Sequence, residues 1–160
     1  MQAMIKGRSA RQTLNVGLIA GIVGGAAEVA WIALYLQLQG GASSEVARGI
    51  TETVFPGTGV APFAVALGLV IHMVLAVLLG GAVAAVFARA FPSLAGTATE
   101  FAAIVGVLAL VWTMNFLVIL PVINPAFVTI VPYGASLTSK LLFGVAAAMV
   151  FRAYGAKSRA

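Results

Sequence analysis

The sequence predicts an all-α integral membrane protein. The expected form is a four-helix bundle with both termini in the cytoplasm and a short interfacial helix after the first span. Two observations lead to this. Of the 160 residues, 62% are hydrophobic and only 8% are charged, whereas soluble domains carry about 25% charged residues. A chain so poor in charge could not clothe its surface in water. Four apolar runs, at about 15–38, 62–88, 99–120 and 133–154, reach the roughly 20 residues that cross a bilayer core. They leave no room for a separate soluble domain, so residues 1–160 read as one membrane domain.

Orientation comes from the basic residues. Lys6, Arg8, Arg11, Arg89, Arg152, Lys157 and Arg159 fall on one side of the four-span layout, and only Arg48 falls on the other. The positive-inside rule places the richer side in the cytoplasm. An even number of spans brings both termini there. A nucleic-acid binder would instead gather its charge on one basic face, so the net charge of +5 is read as orientation and no nucleic-acid partner is expected. A basic stub before an apolar run also opens a signal peptide. This run is too long for that, and no small-residue cleavage site leads into polar mature sequence. The expected location is the bacterial inner membrane, crossed several times.

The first run, Asn15 to Leu38, reads NVGLIAGIVGGAAEVAWIALYLQL. Gly17, Gly21 and Gly25 form two overlapping GxxxG spacings, which let helix backbones approach closely. Glu28 follows on roughly the same face. In the polar interlude at 39–60, SSEVARGITETVF reads as a short amphipathic helix. Ser44 is its expected N-cap. Val46, Ile50 and Val54 form its apolar stripe, with Glu45, Arg48 and Glu52 elsewhere. Such a helix lies in the membrane interface or is a plain loop helix with two local ion pairs. Pro56, Gly57 and Gly59 break it.

Pro62 is expected in the first turn of the second span, where Gly68, His72, Ala76, Gly80 and Ala84 recur every four residues. Arg89, Pro92, Ser93 and Gly96 mark a turn, and the third span contains Trp112, Thr113 and Asn115. The next segment, 121–134, has three prolines and no charge. It is expected to lie in the interface, fold back over the bundle, or meet a partner. Ser136, Lys140, Gly144 and Ala148 continue the small-residue pattern in the fourth span. Gly21, Gly25, Gly68, Gly80 and Gly144 are therefore predicted to face helix contacts.

Each span carries one polar residue that is unfavourable in lipid: Glu28, His72, Asn115 and Lys140. At the α-helical rise they lie roughly 9–15 Å from the non-cytoplasmic helix ends, in one layer. Ionisable residues inside a membrane are functional candidates, so this cluster is the candidate ion or proton site. Plainer roles stand beside it. His72 and Asn115 serve equally as hydrogen bonds between helices, and Lys140 as a side chain reaching up to the interface. Glu28 is too deep to reach water, and Lys140 is its available cation, with His72 second. Trp31, Tyr35, Trp112 and Tyr133 suit packing or the interfacial aromatic belt.

Much chemistry is excluded. There is no cysteine, hence no disulfide, thiolate metal site or cysteine nucleophile. One histidine and no aspartate supply neither a bis-histidine haem site nor a metal cage. No nucleophile–base pair, phosphate loop or metalloprotease motif is present. No enzyme, cofactor or metal is expected.

The segments AEVAWIALY at 27–35, IHMVLAV at 71–77 and NFLVILPVINPAFVTIVPYGASLTSKLLFG at 115–144 resemble short bacterial four-helix inner-membrane proteins of unknown function. Some of these carry the label sodium:proline symporter. The four-span layout is also similar to the YagU type of inner-membrane protein. A full symporter of that name needs many more helices, arranged as inverted repeats. The resemblance therefore implies a four-span fold and no sodium or proline site. The leading expectation is a non-enzymatic structural or accessory protein whose partners are the lipid bilayer and either a second copy or another membrane subunit. The rival expectation is a small transporter or proton-conducting protein that uses the buried polar cluster.

Overall fold

The computed structural model describes residues 8–157, with the side chains of 156 and 157 left aside. Lys6, Arg159 and the Lys157 side chain, counted above for orientation, therefore lie outside the described residues. The described chain is helical without strands: α1 (Ala10–Leu38), α2 (Ser44–Val54), α3 (Ala64–Ala90), α4 (Ala98–Met114), α5 (Leu120–Ile123), α6 (Phe127–Ile130) and α7 (Tyr133–Lys157). Four segments are long and apolar enough to cross a membrane: Ala10–Leu38, Ala64–Ala90, Ala98–Ile123 and Tyr133–Gly155.

Leu38 ends α1 and Tyr133 starts α7 as hydropathy predicts, while the other boundaries follow caps and prolines. α1 starts before the apolar run because the Ser9 hydroxyl accepts from the Gln12 N–H at 3.2 Å. α3 starts at Ala64, whose N–H bonds the Ala61 carbonyl at 3.0 Å. Pro62 thus sits in the preceding turn rather than in the helix. Thr97 caps α4 by accepting from the Glu100 N–H at 3.1 Å. The third span continues to Ile123 through a π-helical stretch, Asn115–Ile119. Pro121 explains that widening. It has no N–H, and its ring collides with the carbonyl four residues back, so the chain takes the wider turn there.

Neighbouring helices run antiparallel in the order α3, α1, α7, α4. Gly17, Gly21 and Gly25 of α1 lie against Gly81, Ala76 and Met73 of α3. A methyl group at Gly80 would fall 2.5 Å from the Gly17 carbonyl oxygen, so the α1–α3 crossing is backbone on backbone. On its other side α1 meets α7: a methyl at Gly24 would fall 2.7 Å from the Phe143 ring. Gly144 of α7 faces Val105 and Leu108 of α4. Gly68 also faces a helix, but the short α2 rather than a span, its closest neighbour being the Ala47 carbonyl oxygen.

Two features bear on the site. First, α3 and α4 do not pack against each other along their lengths, so the row of helices stays open between them. Second, its halves differ. Toward the termini it is filled by Val16, Ala20, Val83, Phe87, Ile104, Leu108, Phe143 and Phe151, all buried in one cluster. Toward the other end the gap holds a cavity.

α2 and the segment after α4 lie over that end. Ser43, not Ser44, occupies the N-cap position of α2, without a side-chain cap bond. α2 docks on α3 through its small face, where the Thr51 hydroxyl donates to the Ala64 carbonyl at 2.6 Å. This turns Val46, Ile50 and Val54 toward the cavity. The α2 charges do not pair with one another. Arg48 donates to the Gly59 and Ala61 carbonyls at 3.1 and 3.3 Å. Glu52 accepts from the Gly57 and Gly59 N–H groups, each at 2.7 Å. The uncharged 121–134 segment folds back over α2: Asn124 donates to the Thr53 hydroxyl at 2.8 Å.

Candidate functional site

The site is built from α1 and α7 upward. Glu28 faces α7 because it lies one turn after Gly24, on the side of α1 that meets Phe143. Lys140 faces back, its Nζ 2.8 Å from Glu28 Oε1 and 3.0 Å from Oε2. Both side chains are largely buried, 7% exposed for Glu28 and 15% for Lys140. Lys140 points inward, not up to the interface, and its Nζ also lies 5.1 Å from the Phe143 ring centre. A charge unpaired here would face apolar surroundings at several kcal/mol. The pair is how these helices hold two ions inside an apolar stack.

His72 sits on the α3 side. Its Nε2 is 3.2 Å from the Gly25 carbonyl oxygen. A carbonyl only accepts, so Nε2 carries the hydrogen in this bond, and in the neutral ring Nδ1 is then an acceptor. Asn115 opens the π-helical stretch across the gap, and its side chain makes no hydrogen bond among the described residues.

One cavity of about 740 Å³ joins all four residues. Glu28, His72, Asn115 and Lys140 line it together with Ser136 and Ser139. Its walls are mostly apolar, with Ile32 from α1, Val46 and Ile50 from α2, Leu69 and Leu75 from α3, and Phe116 beyond α4. The lining extends from Ser43 and Ser44 at the α2 end to Leu79 and Val111 inside the stack. Below that level the packed cluster fills the interior. The cavity thus lies under α2 and stops at the packed cluster, which plugs the stack toward the termini.

The aromatic residues shape this end. The Trp112 indole donates to the Ser136 hydroxyl at 3.1 Å and stacks on Phe116 with centroids 5.6 Å apart. The Trp31 indole donates to the Ala135 carbonyl at 3.0 Å. These bonds fix the start of α7, about one turn ahead of Lys140.

A second buried ion pair has no counterpart in the sequence reading. Arg8 Nη1 lies 2.6 Å from Glu100 Oε1, and Nη2 lies 3.0 Å from Oε2. The same Nη2 donates to the Phe151 carbonyl at 3.0 Å, and the Gly96 N–H donates to Glu100 at 2.7 Å. Arg8 was counted only for orientation, and Glu100 stood in no motif. The available signal was Thr97 followed by Glu100, the spacing of a capping box, with the carboxylate here reaching the Gly96 N–H instead of the cap residue's own.

Groups of three or more possible metal ligands are absent among the described residues. What the arrangement offers is charge complementarity in an apolar pocket. Comparison with known protein families, with curated proteins and with solved structures finds no match to this chain.

Proposed function

We propose that this chain is a non-enzymatic, multi-pass protein of the bacterial inner membrane that binds and passes a small solute or ion through the cavity between α3 and α4. In this reading the four spans form a bundle with both termini in the cytoplasm. The observation that carries it is the single cavity into which Glu28, His72, Asn115 and Lys140 all converge. Ionisable groups are unfavourable in lipid and are kept there where they serve a pathway or a site. The charge asymmetry supports the orientation, since Arg11, Arg89 and Arg152 share the plugged end with the start of α1.

Reconstitution into liposomes tests the function. Flux of solute or protons by the wild type and its loss in Glu28→Gln is the expected result. Absence of flux from wild-type liposomes in every gradient tried would overturn it. Reporter fusions after Gly57, Leu94, Phe127 and Ala160 should read outside, inside, outside, inside.

A second reading is favoured by the separation of α3 from α4. A helix of another membrane subunit, or of a second copy, fills that gap, and the chain is then an accessory subunit. Purification in mild detergent separates the two: a stoichiometric membrane partner supports the second, and a free chain that supports flux supports the first.

A further inference from the structure

The cavity is bordered by an ion pair, and this restricts what can bind there. Glu28 and Lys140 neutralise each other at 2.8 and 3.0 Å. A ligand with one charge would engage one partner and strand the other in apolar surroundings, which is strongly unfavourable. An uncharged ligand has no means of displacing either. A ligand bearing both charges can separate the pair and leave every charge matched. Its insertion also leaves the net charge of the site unchanged, so no proton need accompany it.

We infer that the cavity binds a small zwitterion, with its ammonium on Glu28, its carboxylate on Lys140 and an apolar body against Ile32, Ile50, Leu69 and Phe116. This inference rests on the solute-transport reading above. Three further observations carry it. Lys140 is the more exposed partner and has the long flexible stem, so it is the one that swings to admit the ligand while Glu28 stays. His72 lines the same cavity, and with Nε2 bonded to the Gly25 carbonyl the Nδ1 of its neutral ring accepts from an ammonium. The Asn115 amide lines the same cavity with no side-chain hydrogen bond among the described residues, and its NH₂ group donates to a carboxylate.

The test measures binding to the purified protein in nanodiscs, independently of flux. The probes are L-leucine, leucine methyl ester and N-acetyl-leucine, which share a body and carry both charges, the positive one and the negative one. γ-Aminobutyrate serves as a zwitterion with its charges set further apart. The wild type should bind at least one zwitterion and neither single-charge compound. Lys140→Met should weaken that zwitterion by about tenfold or more and gain binding of the methyl ester. Glu28→Gln should lose it equally and gain N-acetyl-leucine. The double variant, which strands no charge, should fold and bind none of them. Reversal of charge preference in the two single variants is the signature. Binding of single-charge compounds by the wild type, or of neither zwitterion, would overturn the inference. Flux with an unaltered charge preference in the variants would overturn it while leaving the transport reading standing.

Discussion

Arg8 and Glu100 form a two-pronged ion pair, Nη1 to Oε1 at 2.6 Å and Nη2 to Oε2 at 3.0 Å, with only 4% and 2% of their side chains exposed. It ties the residue just ahead of α1 to the first turn of α4 and, through the Phe151 carbonyl, to α7. The guanidinium also lies 5.0 Å from the Phe151 ring centre. Planar, two-pronged geometry is what distinguishes Arg from Lys here. The pair closes over the packed end of the stack, opposite the cavity.

Breaking this pair should therefore be severe. Arg8→Ala and Glu100→Ala are each expected to lower stability in detergent by about 3–5 kcal/mol, because each leaves a buried charge alone. Arg8→Met combined with Glu100→Leu should recover most of the loss. Melting temperatures of the wild type should change little with salt, since buried pairs are poorly screened. Single variants that melt with the wild type would show that the pair is solvated.

The Glu28–Lys140 pair obeys the same logic at the cavity end. Lys140→Met alone should destabilise by about 3–5 kcal/mol, and adding Glu28→Gln should restore much of it. A double-mutant cycle on detergent melting measures this coupling. Additive losses would mean that the two groups act independently.

The two pairs differ in how far the sequence shows them. Glu28 and Lys140 stand out because each interrupts an apolar run, and a carboxylate at that depth needs a cation. Arg8 and Glu100 lie at the polar edges of their helices, where charge is expected and asks for no partner. The four spans were legible for the same reason that Glu28 was, since hydropathy reports what lipid requires. Some boundaries were legible too, since α1 ends at Leu38 and α7 starts at Tyr133 as hydropathy predicts, whereas the start of α1 and the end of the third span depend on the Ser9 cap and on Pro121. The facing of α2 was also hidden. Its stripe of Val46, Ile50 and Val54 suits lipid as well as a cavity wall, and only the docking of Ala47 and Thr51 on α3 decides between them.

Outside the spans, Glu52 gives a pH dependence of known sign. The Gly57 and then the Gly59 N–H groups hold its carboxyl below the ordinary value of 4.5, against a smaller opposing effect of burial. The folded loop thus binds the proton less readily than the unfolded chain. Its contribution is full above pH 4.5 and is lost as pH falls through the lowered folded value. Amide exchange at Gly57 and Gly59 should accelerate over that acidic range, beyond the intrinsic trend, and Glu52→Gln should show the faster exchange already at neutral pH. Equal protection in the wild type and Glu52→Gln at neutral pH would remove the carboxylate from this role.

Gly80 and Gly81 are neighbours in sequence, and their substitution should have opposite effects. A methyl group at Gly80 would meet the Gly17 carbonyl oxygen and the Gly21 nitrogen at 2.5 Å and the Gly21 Cα at 2.7 Å. All three are backbone atoms of a helix that cannot turn aside, so α1 and α3 must separate. Forced overpacking of this kind costs about 1–3 kcal/mol, and a loosened α1 also carries Glu28 away from Lys140. A methyl at Gly81 would meet nothing within 4 Å. There alanine only removes the flexibility of glycine, which favours the helix by up to about 1 kcal/mol. Gly80→Ala should therefore lower the melting temperature in detergent while Gly81→Ala leaves it unchanged or raises it. Equal responses at the two positions would mean that α1 and α3 do not meet along the Gly17, Gly21 and Gly80 line.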